Sequence, residues 1–248
     1  MPEAAFFREQ ICAHRGASGD YPENTRVAFD AAAKVGAGWI ETDIQCLADG
    51  ELAIFHDAHL GRTAPGSAKV TSLSWPDMAE FDIGSWKGDA FALERPLRCE
   101  DLLAWQREAP DRPGIIWEVK CEDGPGAVDA AVKAVTEQLE EISDHRCIVS
   151  SFSRAVLSLL RPQLPAIPMA LIAEALPEDG VAFCREHRLE GIHLDGHQVT
   201  QASAQAVRDA GLALRCYTIN DLGEGERLIA LGASMIMTDF PERFLARH

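Results

Sequence analysis

The sequence is short of basic charge, of paired cysteines and of long apolar runs. Only 23 lysines and arginines stand against 39 aspartates and glutamates, for a net charge of −16. A protein held to a polyanion by phosphate contacts needs a basic surface, so nucleic acid and anionic membrane are poor partners. Small phosphate compounds are not excluded, because a metal ion and a few basic side chains reverse the field locally. No stretch approaches the roughly 18 apolar residues that span a bilayer. The opening MPEAAFFREQ has no basic start followed by an apolar run, so no signal peptide is read there. The seven cysteines, Cys12, Cys46, Cys99, Cys121, Cys147, Cys184 and Cys216, are odd in number and include no CxxC. They read as reduced core thiols of a cytosolic protein, with Cys121, next to a candidate site residue, the one to watch for oxidation. The expectation is a soluble, cytoplasmic protein with no nucleic-acid partner and no stable membrane association. Its oligomeric state is left open.

What is present is ordinary globular composition on 248 residues, close to the size of one α/β barrel. Apolar, β-branched runs at Ile11–His14, Trp39–Ile44, Leu52–His56, Ile115–Lys120, Cys147–Ser151, Met169–Ile172, Gly191–Asp195, Ala213–Thr218 and Ser234–Asp239 predict strands. Helical patterns lie between most of them: Asn24–Val35, Asp101–Arg107, Ala127–Ile142, Ala155–Leu160, Pro177–His187, Gln201–Ala210 and Leu222–Leu231. Such alternation implies a parallel sheet covered by helices. Nine strands is one too many for an eight-stranded barrel. Asp49-Gly50, a tight-turn signal, lies between the second and third runs, so the third is expected to fold back as a hairpin. Residues 58–98 show no clean period and read as a small insertion. The whole chain, 1–248, is then one (β/α)8 barrel domain, with no internal repeat and no low-complexity tract.

Barrels of this kind carry their active sites at the C-terminal ends of the strands, and polar residues collect there. Glu41 and Asp43 are two apart on one strand and share a face, as do Glu118 and Lys120. Buried carboxylates are costly unless paired or metal-bound. Three converging ones suit a hard cation such as Mg²⁺ or Ca²⁺ better than zinc; alternatively, they pair with Arg15 and Lys120 inside the barrel mouth. His14 and His56, at two strand ends beside these acids, suit a reaction that needs both a proton donor and an acceptor. Arg15 can fork onto a phosphate or pair with Glu41 or Asp57. Asn24 or Thr25 suits a helix cap, and Glu23 and Asn24 also suit a positioning role. His193 and Asp195 share a strand face and read as structural. His59, His145, His187, His197 and His248 read as solvated or loop residues.

The ordered set His14-Arg15-Gly16, Pro22-Glu23-Asn24-Thr25, Glu41-Thr42-Asp43, Asp49-Gly50 and His56-Asp57 resembles the signature of the glycerophosphodiester phosphodiesterase family. Gly84-Ser85-Trp86, Glu118-Val119-Lys120, Ser151-Phe152 and Thr238-Asp239-Phe240-Pro241 extend the resemblance over nearly the whole chain. It implies metal-dependent hydrolysis of glycerophosphodiesters to glycerol 3-phosphate and an alcohol. One divalent cation, Mg²⁺ or Ca²⁺, would sit on Glu41, Asp43 and Glu118. His14 and His56 would be the acid/base pair, and Arg15 and Lys120 would hold the phosphate. Many members have Trp-Thr-x-Asn where this chain has Tyr217-Thr218-Ile219-Asn220, so Tyr217 and Phe152 are expected as aromatic walls of an altered alcohol pocket. Two other readings stay open. A lysophospholipase D-like or sphingomyelinase D-like enzyme would need an apolar groove, for which Phe81, Ile83, Trp86 and Phe91 are available. A noncatalytic phosphate-binding barrel would be expected to have lost a ligand or a histidine, and none is missing.

Overall fold

The computed structural model describes residues 6–108, 111–121, 124–140 and 146–245. Eight strands close a barrel: β1 (Ile11–His14), β2 (Trp39–Cys46), β4 (Gly114–Val119), β5 (Cys147–Ser151), β6 (Met169–Ala173), β7 (Gly191–Asp195), β8 (Ala213–Tyr217) and β9 (Met235–Thr238). All pair in parallel, and β1 meets both β9 and β2 to complete the ring. The short strand β3 (Leu52–Ile54) lies antiparallel on β2, with Ile44 opposite Ile54 and Cys46 opposite Leu52. The Asp49-Gly50 turn therefore makes the expected hairpin; Gly50 has φ 88°, a left-handed conformation that glycine adopts without strain.

Helices α1 (Arg26–Lys34), α3 (Cys99–Arg107), α4 (Pro125–Leu139), α5 (Arg154–Leu160), α6 (Gly180–Glu186), α7 (Gln201–Asp209), α8 (Leu222–Ala230) and α9 (Pro241–Leu245) accompany the barrel strands, and the one-turn α2 (Trp75–Met78) lies between β3 and α3. Outward-facing strand residues such as Ile40, Ile115, Val149, Ile192 and Leu214 join helix residues such as Phe29, Leu102, Val135 and Leu228 in the main core. Inside the ring, Cys12, Ile116, Ile148, Ala170, Met235 and Met237 fill the barrel, so it is a packed core and not a pore. Residues 58–98 bury a third cluster, with Leu60, Val70, Met78 and Ile83 against Leu47, Ala53 and Phe55.

The first helix begins two residues later than its periodicity suggests. Thr25 caps it, its side chain accepting from the Ala28 N–H, and Asn24 before it stands at φ 59°, outside the helix. The expected helix over 127–142 runs Pro125–Leu139, and Ile142 lies outside the described residues, as do His145 and His248. Among the described residues no helix is long and apolar enough to cross a membrane.

Candidate active site

The site is built on two tight backbone features. After β1 the chain passes through Arg15 at φ 57° and Gly16 at φ 81°. A Cβ at Gly16 would lie 2.7 Å from the backbone carbon of Ala28, so only glycine lets this turn sit against α1. The turn directs the Arg15 N–H back to Glu41, whose backbone oxygen accepts at 2.9 Å and whose Oε2 accepts at 3.2 Å. The second feature is the exit from the hairpin. Gln45 donates to the carbonyls of both Phe55 and Asp57, at 2.8 and 2.9 Å, fixing the backbone on either side of His56.

Glu41, Asp43 and Glu118 converge as their strand positions demand, with Asp43 opposite Glu118 in register. Each offers a carboxylate oxygen within 4.8 Å of the others, and all three groups are withdrawn from water. Arg15 Nε lies 3.2 Å from Asp43, Lys120 Nζ lies 3.1 Å from Asp43, and Lys120 also pairs with Glu118. Asn24 donates to Asp43 at 2.9 Å while accepting from Thr42, so the residue in front of the cap orients an acid as well.

Two cations do not balance three acids, and the protonation directions show it. Burial first, then the charges of Asp43 and Glu118, push the Glu41 carboxyl well above the usual carboxylate range. Burial and Asp43 likewise push Glu118 to about 7, against Lys120. For Asp43 burial acts upward too, but Arg15, Lys120 and His56 together hold it below its ordinary value. Glu41 Oε1 is buried with no hydrogen-bond partner. An orphaned carboxylate oxygen beside two more carboxylates is a donor set that fits a hard divalent cation.

Each of the two histidines is held at Nδ1 by a carboxylate. His14 Nδ1 lies 2.7 Å from Asp239 Oδ1, and its Nε2 is 3.9 Å from Glu41. His56 Nδ1 lies 2.6 Å from Asp57 Oδ1. The two carboxylates are not equivalent. Asp57 shares its charge with Arg62, which also grips Glu23, itself bonded to Arg15. Asp239 is supported by the neutral donors Ser18 and Asn220. Burial depresses the His56 pKa; Asp43 opposes this, and Arg15 and Lys120 add to it.

A cavity of about 210 Å³ adjoins these groups, lined by His14, Arg15, Glu41, His56, Glu118 and Lys120 together with Ser150, Phe152, Ile172, His193, Tyr217, Thr218 and Met237. Phe152 is half-exposed and meets Tyr217 edge-on, with Lys120 above its ring. The Tyr217 hydroxyl donates to the Ala173 carbonyl at 3.0 Å and ties the ring to β6. His193 borders the cavity, whereas Asp195 accepts from the His197 N–H. In the insertion, Asp82 accepts from the N–H groups of Gly84 and Ser85, and Lys87 donates to the carbonyls of Ser18 and Gly19, clamping the insertion onto the β1 loop. Of the apolar residues expected to be available for an acyl groove, Ile83 is buried, Phe81 packs on the insertion core and Phe91 meets Tyr21 edge-on; Trp86 alone of the four is exposed.

Sequence reasoning gave no positioning role to Arg62, Asp57 or Asp239, and passed over Ser150 and Arg215. For Asp57 and Asp239 a signal was present: an Asp follows His56 directly, and Asp239 closes the last predicted strand. That Asp239 meets His14 depends on ring closure.

The model of the glycerophosphoryl diester phosphodiesterase family matches residues 14–243. A glycerophosphodiester phosphodiesterase of Bacillus altitudinis is 30% identical over 239 residues, covering 94% of this chain and 96% of that one. Another from Bacillus subtilis is 28% identical over 94% of this chain and 84% of its own length. Among solved structures, an Oleispira antarctica phosphodiesterase in complex with the product sn-glycerol-3-phosphate is similar with a TM-score of 0.89 and 26% identity, over 96% of this chain and 95% of that one.

Proposed function

The chain belongs to the glycerophosphoryl diester phosphodiesterase family and is a phosphoric diester hydrolase, and from that premise we propose how its residues act on a small glycerophosphodiester. The products are glycerol 3-phosphate and an alcohol. Glu41, Asp43 and Glu118 would hold one Mg²⁺ or Ca²⁺ ion. When bound, that ion polarises the phosphoryl oxygens and offsets charge developing at phosphorus. The observation that carries the reading is the coincidence, at one barrel mouth, of three converging buried carboxylates with two histidines each oriented by an aspartate.

Arg15 and Lys120 hold the phosphate: one presents a fixed fork placed by Glu23, the other a point charge placed by Asp43 and Glu118. His56 is the general base. Burial and the nearby cations keep its ring neutral, and Asp57 occupies Nδ1, so Nε2 is free to take a proton from the attacking hydroxyl. His14 is then the general acid, donating from Nε2 to the leaving alcohol while Asp239 stabilises the charged ring. The attacking oxygen is either the neighbouring hydroxyl of the substrate's own glycerol, giving a cyclic phosphate that water then opens, or water directly. A substrate lacking that hydroxyl is turned over only by the second route. Phe152 and Tyr217 wall the side of the cavity toward the alcohol. The buried state of Ile83 and the packing of Phe81 and Phe91 argue against an acyl-chain groove.

The test is turnover of glycerophosphocholine, glycerophosphoethanolamine, glycerophosphoglycerol and a lysophospholipid, before and after chelation and with Mg²⁺ or Ca²⁺ restored. Full activity after chelation, or turnover of the lysophospholipid alone, rejects the proposal.

A further inference from the structure

Of the groups that line the cavity, Arg15 and Lys120 are accounted for by the phosphate; two polar residues of the lining have no part in that chemistry, Ser150, which is opposite Glu118 in register, and His193. The Ser150 hydroxyl is fully buried and has no hydrogen-bond partner, although its neighbour Ser151 donates to the Val119 carbonyl at 2.8 Å. A buried hydroxyl without a partner is costly, so one that borders a cavity points to a ligand that satisfies it.

His193 is held from beneath. Arg215, on the next strand and opposite it in register, places Nη1 3.4 Å from His193 Nε2 and pairs through Nη2 with Glu190 at 2.6 Å. Space for this guanidinium exists because residue 191 is glycine: a Cβ there would lie 2.9 Å from Arg215 Nη1 and 2.6 Å from the Ala213 carbonyl. Arginine only donates, so His193 Nε2 must accept, and the imidazole proton resides on Nδ1. Burial, reinforced by Arg215, also keeps His193 well below its ordinary pKa. The Glu190–Arg215–His193 chain thus fixes one neutral tautomer at the edge of the cavity.

We propose that Ser150 and His193 form an uncharged subsite that hydrogen-bonds a hydroxyl of the substrate's glycerol, with Arg215 as the positioning residue for His193. This rests on the glycerophosphodiester reading above. It explains why the barrel buries an arginine next to a histidine: the pair removes ionisation as an option and leaves a fixed neutral donor, suited to an alcohol oxygen.

The experiment is calorimetric binding of glycerol 3-phosphate and its two deoxy analogues, propane-1,2-diol 1-phosphate and propane-1,3-diol phosphate, to protein in excess Mg²⁺ or Ca²⁺. Two net hydrogen bonds predict that the wild type favours glycerol 3-phosphate over at least one analogue by about tenfold. Ser150→Ala and His193→Ala should each bring that ratio toward unity for the same analogue. A wild type indifferent to both hydroxyls, or folded variants that keep the full ratio, overturns the proposal. If His193→Ala does not fold, Ser150→Ala decides alone, since it removes a single oxygen. For Arg215, nitrogen NMR of the His193 ring should show a neutral Nδ1–H form in the wild type and a mixture or a charged ring in Arg215→Met; an unchanged ring overturns the positioning role. Hydroxyl discrimination without turnover of any glycerophosphodiester would sink the hydrolytic reading and leave the subsite standing.

Discussion

Glu41→Gln should make the metal-free protein more stable and the metal-loaded protein relatively less so. The Glu41 side chain is buried; Oε1 has no partner, and Oε2 receives the Arg15 N–H at 3.2 Å. Glutamine keeps an oxygen for that N–H and removes a charge that faces Asp43 and Glu118. Relief of a buried, poorly paired carboxylate contributes about 1–3 kcal/mol. In a chain of this length that corresponds to roughly 2–4 °C of melting temperature per kcal/mol. The sign with pH follows from the raised carboxyl. The unfolded chain releases the Glu41 proton near its free value of 4.5, while the folded chain retains it to higher pH. The wild type therefore loses stability relative to the variant as pH rises above that value, and the two coincide below it. Adding Mg²⁺ or Ca²⁺ at about 100 times its Kd stabilises the wild type by about 2.7 kcal/mol. The variant, with one ligand charge gone, should gain much less. Thermal melts of both proteins at pH 5 and pH 8 (about half a unit and several units above the free value), with chelator and with metal, test each arm. A variant that melts below the wild type in chelator at pH 8, or that gains as much from metal, refutes the account of this cluster.

The remaining predictions follow from the same geometry. His14→Ala and His56→Ala should each lower turnover by about 10²–10⁴-fold while leaving metal binding by calorimetry unchanged, and the double variant should lose far less than the product of the two losses; near-full turnover in either removes that residue from the mechanism. Asp239→Asn should lower kcat by misorienting His14 and should also flatten acid unfolding. Burial acts to raise the Asp239 carboxyl, but His14, Asn220 and Ser18 bring it down to about 2, so its contribution of about 2 kcal/mol is present above pH 4 and lost as pH falls toward 2; an unchanged acid limb would contradict this. Tyr217→Phe should cost about 1 kcal/mol, seen as a lower melting temperature, through loss of the bond to Ala173. Phe152→Ala should instead shift preference among head groups with little change in stability, and the reverse pattern would return Phe152 to a packing role.

Much of this architecture was legible before any coordinate. Strand periodicity placed Glu41 and Asp43 on one face, Asp49-Gly50 predicted the hairpin that delivers His56, and the order of the motifs matched a family. These are local properties: a residue's face follows from its parity along one strand, and a turn from a few φ values. Tertiary structure decided what meets across the ring. Asp239 reaches His14 from 225 residues away, and Arg62 joins Asp57 to Glu23 across 39. The Tyr217 hydroxyl, read from sequence as a change to the alcohol pocket, is engaged with the Ala173 carbonyl. Asn24 and Thr25 shared one ambiguous signature, and the fold divided it, giving Thr25 the cap and Asn24 the acid. Parity determines which way a side chain faces; which distant residue shares its level depends on the stagger of the closed barrel, and no local pattern encodes that.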